Sequence, residues 1–78
     1  MSFGIYLKEQ RGKLGLTQGD LAERTAGMVS QSSLSHYEAG RKRPAHAGLL
    51  ALLEALGVNG IDRAVALTVW ALPLDGEE

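Results

Sequence analysis

Between Val29 and Pro44 the chain reads VSQSSLSHYEAGRKRP, with hydroxyls at Ser30, Ser32, Ser33 and Ser35, an amide at Gln31, an imidazole at His36, and the successive cations Arg41, Lys42 and Arg43. Side chains of these types can transfer an acyl group, hold a metal, or recognise a polar surface by hydrogen bonds and charge. Acyl transfer needs a nucleophile, a base and an orienting acid converging where water is excluded. The Ser and His of SSLSH instead fall on the outward face of one helical segment. A structural metal site takes four ligands; the chain has no cysteine, and its two histidines, His36 and His46, belong to different helical segments without organised carboxylates. No glycine-rich phosphate loop follows a strand. The expectation is no catalytic residue, no metal and no cofactor: a chain that is not an enzyme. Recognition remains, with short hydroxyls permitting close approach and cations suited to phosphate.

The balance of charge first argues the other way, since the formal net charge is −1. Three of the nine acids, Asp75, Glu77 and Glu78, lie in the last four residues; without them six acids face eight bases. Local charge governs phosphate contact more than the total does. A chain of 78 residues suits one domain. It buries roughly 60% of its unfolded surface, so helix caps weigh heavily in its stability. The start MSFGIYLKEQ lacks the basic and apolar regions of a signal peptide, and the apolar stretch from Ala64 to Leu74 is too short to span a bilayer. A cytoplasmic protein is expected, without a membrane partner.

The elements that must position these side chains are helices, because no stretch alternates with the period of a strand. Ser2 caps a first helix with Phe3, Tyr6, Leu7 and Leu14 near one face and Gly15 as its end. Thr17 and Asp20 form a capping box for a second, running to about Ala26 with Leu21 and Ala22 inward. Ser30 caps a third, Gln31 to about Ala39, closed by Gly40. With Leu34 inward, Ser32, Ser35 and His36 point away and Gln31 projects near the N-terminal end. Pro44 pre-sets a leucine-rich fourth helix from Ala45 to Leu56, and Asn59 is placed to cap a fifth from Ile61 to about Leu72.

In order and spacing, LGLTQGDLAERTAG, VSQSSLSHYEAGRKRP and LLALLEALGV resemble the phage-repressor or Cro-like (XRE-type) helix-turn-helix domains over Leu7 to Val58. The resemblance implies an all-α fold, a compact lambda-repressor-like bundle of four to five short helices whose second and third form the helix-turn-helix. Residues 1–72 would be that domain, with the helix at 61–72 as its dimerisation element and 73–78 an acidic tail. Three departures stand out. The turn at Thr25 to Val29 is about two residues longer than usual, Gln10 replaces an aliphatic residue, and Ala45 replaces the common Ser or Thr cap.

The resemblance also implies a partner, double-stranded DNA, with the third helix in the major groove. Gln31, Ser32, Ser35 and His36 match the family's base-facing positions; the bland reading, that the serines cap and solubilise the helix, competes more evenly at Ser35 and His36. Ser30 reads as a cap and Ser33 as packing between the second and third helices. Gln18 matches a phosphate-contacting glutamine, against a plain exposed position in the second helix. Arg41, Lys42 and Arg43 would lie along the phosphate strand, one of them in solvent only. Arg11 and Glu38 match a pair that forms an internal salt bridge. The fifth helix is apolar nearly all round, which predicts a homodimer through Val65, Val69, Trp70 and Leu72. The function implied is a sequence-specific transcriptional regulator, in the manner of controller proteins, small Cro-like repressors or antitoxins, associated with the nucleoid. A rival reading keeps the fold as a protein-interaction module without DNA, supported by the near-neutral charge, the long turn and the acidic tail.

Overall fold

A computed structural model describes residues 2–71. Leu72 and the tail expected at 73–78 lie outside the described residues. Side-chain oxygens open three of the helices. Ser2 Oγ accepts from the Ile5 N–H at 3.3 Å at the head of α1 (Phe3–Lys13). At α2 (Gln18–Arg24), Thr17 and Asp20 close a reciprocal capping box of two 3.0 Å bonds. Bonds from the Thr17 backbone N–H, and next from its hydroxyl, hold the Asp20 carboxyl below its ordinary pKa. Ser30 Oγ accepts from the Ser33 N–H at 3.1 Å at the head of α3 (Gln31–Glu38).

The last two helices, α4 (His46–Ala55) and α5 (Gly60–Trp70), begin without a side-chain cap. Ala45 has no oxygen to offer. Asn59 has one, but Gly60 enters the helix at φ +61°, and a cap needs the first helical residue in right-handed geometry. The expected Asn59 cap is therefore not made. At the other end of α3 the chain turns off through Gly40 at φ +77°, whose N–H donates to Tyr37 O at 3.2 Å while the Arg41 N–H donates to His36 O at 3.0 Å. That pair of bonds is the Schellman ending, which satisfies the last carbonyls. The ends of α1 and α4 follow the same pattern. In α2 the corresponding position is Ala26, at φ +55°.

The core gathers Phe3, Tyr6 and Leu7 from α1, Leu21, Val29 and Leu34, then Leu49, Leu52, Leu53 and Leu56, with Ala66 from α5. Leu50 is only half-buried and stands outside this set. Leu14, expected inward, is instead 48% exposed: it is the C-cap residue at the very end of α1, beyond the buried Leu7 and outside the core set. Burial of the Tyr6 ring, and to a lesser extent the negative charge of Asp62, raises the Tyr6 pKa.

Two features set where α3 lies. Leu34 is its one buried side chain, and burying a leucine contributes about 1.5–3 kcal/mol. Gly4 of α1 is buried against the end of α3: a Cβ there would overlap Tyr37 O and lie 2.8 Å from Glu38 O. The absent side chain lets the two backbones meet. The turn from α2 into α3 is held by Thr25, itself 4% exposed. Its hydroxyl donates to Ala22 O at 2.6 Å and accepts from the Val29 N–H at 3.1 Å, spanning the lengthened segment.

Candidate nucleic-acid interface

With Leu34 inward, the opposite face of α3 carries Gln31, Ser32 and Ser35 exposed and His36 half-buried. Together with Gln18 from the head of α2, these four line one shallow, open concavity. The arrangement offers donors and acceptors of three chemical types to a ligand edge, and every residue of this lining is polar. Its hydroxyls are short, which allows a second molecule to come close to the helix axis. Gln31 Oε1 also reaches back over α2, where a Cβ on Gly19 would stand 3.4 Å from it. Ser30 is occupied as the cap, and its hydroxyl also donates to Ser33 Oγ at 3.1 Å, so Ser30 and Ser33 form a local pair at the helix start.

Behind this face lies a polar network. Arg11 Nε donates to Glu38 Oε2 at 2.7 Å and Arg11 Nη2 to Glu38 Oε1 at 2.9 Å, a two-pronged contact between α1 and the last residue of α3. Arg11 Nη1 adds a bond to Leu16 O at 2.8 Å. Hydrogen bonding to Glu38 is the largest influence raising the Arg11 pKa. Glu38 Oε1 also accepts from Gln18 Nε2 at 3.2 Å. One amide proton of Gln18 is thus turned toward Glu38, so this glutamine faces both the network and the concavity.

Beyond the Schellman turn, Arg41, Lys42 and Arg43 are all exposed on the loop leading to Pro44. On α5, Ile61 is 83% and Val65 49% exposed, whereas Val69 and Trp70 are half-buried and pack against the core. Trp70 Nε1 donates to Pro44 O at 2.8 Å, and its ring meets His46 edge-on with centroids 6.0 Å apart. The four residues expected at a dimer interface therefore divide. Val65 faces outward, Val69 and Trp70 lean inward on their own core, and Leu72 is outside the described residues.

Three of these features are missing from a reading of the residues alone: the seat at Gly4, the Thr25 staple, and the Trp70 bond to Pro44. Thr25 had a local signal, since a threonine at a helix end next to Ala-Gly is placed to bond the turn backbone. Gly4 and Trp70 had none, because their partners lie far along the chain.

A family model described as a helix-turn-helix domain matches residues 2–66, and the chain belongs to that family. Membership points to a DNA-binding regulator in general. Neither the curated proteins nor the solved structures provide a match. No helix among the described residues is long and apolar enough to cross a membrane.

Proposed function

We propose that this chain is a sequence-specific double-stranded-DNA-binding transcriptional regulator, a repressor of its own or an adjacent promoter, acting as a homodimer on a pseudo-palindromic operator. One observation carries the reading: Gln31, Ser32, Ser35 and His36 share an open polar face of α3, with exposed cations on the loop that follows. A helix presented in this way suits the major groove, where a glutamine amide can pair with both N6 and N7 of adenine and small hydroxyls fit either base edges or phosphate oxygens. Arg41, Lys42 and Arg43 supply the sequence-independent attraction to the backbone. The work of the site is binding rather than catalysis, in the cytoplasm and on the nucleoid.

The dimer is supported by the exposed Ile61 and Val65, four residues apart on α5 and therefore on one side of it. A two-fold dimer sets two copies of α3 about one helical turn of DNA apart, near 34 Å. Selecting bound sequences from a random duplex pool tests the whole reading. The expected outcome is a two-fold consensus with half-sites spaced by one turn. A pool that shows no enrichment, with no salt-sensitive retention of the protein on duplex DNA, would favour the protein-interaction module instead.

A further inference from the structure

The loop that bears the cations is fastened at both ends. Its start is set by the Gly40 and Arg41 N–H groups on the last turn of α3. Its end is Pro44, whose ring is buried and whose carbonyl accepts the indole N–H of Trp70 at 2.8 Å. Only Lys42 and Arg43 separate the two anchors, and an extended chain covers at most about 3.6 Å per residue. The cations thus stand on a short tether beside α3, and one of its two anchors belongs to α5. The Trp70 ring on that anchor also meets the edge of His46, the first residue of α4.

We propose that Trp70 is a positioning residue for phosphate contact: by holding the Pro44 carbonyl it keeps the Arg41–Lys42–Arg43 loop aligned with the reading face of α3. The inference rests on the DNA-binding reading above and adds to it a role for α5 other than self-association. Cations held in place beforehand lose less conformational freedom when they meet phosphates, so more of them engage at once. Loss of the indole N–H leaves the Pro44 end held by the packing of its ring alone, so the loop is less closely fixed and fewer cations reach phosphates together.

The test uses the full chain and exploits the fact that Trp70 is its single tryptophan. Biosynthetic replacement by the benzothiophene analogue of tryptophan keeps the ring's shape and puts sulfur where the N–H was; Trp70→Phe is a second, coarser variant. Binding to random-sequence duplex DNA is measured across a salt series, with thermal melting as the control for folding. Each phosphate neutralised adds about 0.9 to the magnitude of the slope of log K against log salt. The expected result is a slope shallower by about 0.9 per subunit for each phosphate no longer neutralised, in a protein that still folds. A wild-type slope in the folded analogue protein overturns the inference, whatever happens to its melting temperature, since a purely structural tryptophan changes stability alone. If the unmodified protein itself shows no salt-dependent binding, the DNA-binding reading falls and this inference with it, an outcome distinct from an unchanged slope.

Discussion

Removing Arg11 tests the network behind the polar face of α3 most directly. The side chains of Arg11 and Glu38 are 16% and 5% exposed, and the guanidinium supplies two of the bonds that satisfy the Glu38 carboxylate. In Arg11→Ala the carboxylate stays buried with the Gln18 amide as its remaining partner in this network. Stranding one member of a buried pair costs about 3–5 kcal/mol, far above the ~0–1 kcal/mol of an exposed one. A chain of this length is stabilised by about 4–12 kcal/mol in all. The loss is therefore a large fraction of the whole, equivalent to a fall in melting temperature of about 12 °C or more. Urea unfolding followed by far-UV circular dichroism should show a lower midpoint with an unchanged m-value. Replacing both partners by apolar residues, Arg11→Met with Glu38→Leu, should recover most of the loss, because no buried charge is then left alone. Arg11→Met and Glu38→Leu made singly, together with that double variant, complete a cycle. A cost for Arg11→Ala below about 1 kcal/mol, or a coupling energy below ~0.5 kcal/mol, would refute the assignment of this pair as the tie between α1 and α3.

Gly4→Ala should destabilise by at least ~2 kcal/mol in thermal or urea unfolding, since its Cβ would meet backbone atoms of α3 that cannot step aside. Ala26→Gly should stabilise by about 0.5–1 kcal/mol: relief of left-handed strain, about 1–2 kcal/mol, outweighs the ~0.5–1 kcal/mol of added chain freedom in the unfolded state. A lower urea midpoint for that variant would contradict it. Ala45→Ser, which provides the missing cap of α4, should raise stability by about 1 kcal/mol in the same assay. Gln31→Ala should weaken binding to the selected site by ~1–3 kcal/mol in a fluorescence-anisotropy titration while leaving binding to random duplex nearly unchanged, and equal losses on both would remove Gln31 from the readers.

The fold was open to reading where the determinants are local. Ser2, Thr17 and Ser30 announce helix starts because a cap bonds a backbone group three residues away, and Gly40 announces an end because its backbone angle is its own. The inward placement of Leu7, Leu21, Leu34 and Leu49 followed from helical period. Leu14 misled because periodicity carries no information about how far along a helix the core extends. For the candidate site, the outward set on α3 needed only one inward reference, Leu34, to be placed. The Gln18 bond to Glu38, the division of the α5 face and the Gly4 seat depend on how helices distant along the chain come together. A tryptophan looks equally apolar whether it faces a partner molecule or donates its N–H to Pro44.

α3 is attached to the rest of the molecule chiefly through Leu34, the half-buried Tyr37 ring, the backbone seat at Gly4 and the Glu38 carboxylate, none of which belongs to the outward face. Of the four outward positions, Ser32 and Ser35 are exposed and, among the described residues, make no bond to another helix, whereas Gln31 reaches over α2 and His36 is half-buried. Changes at 32 and 35 that keep helix-forming residues should therefore leave the scaffold folded. On the proposed DNA-binding role, a change of preference is therefore easiest to introduce at 32 and 35, with the remainder of the chain left as it is.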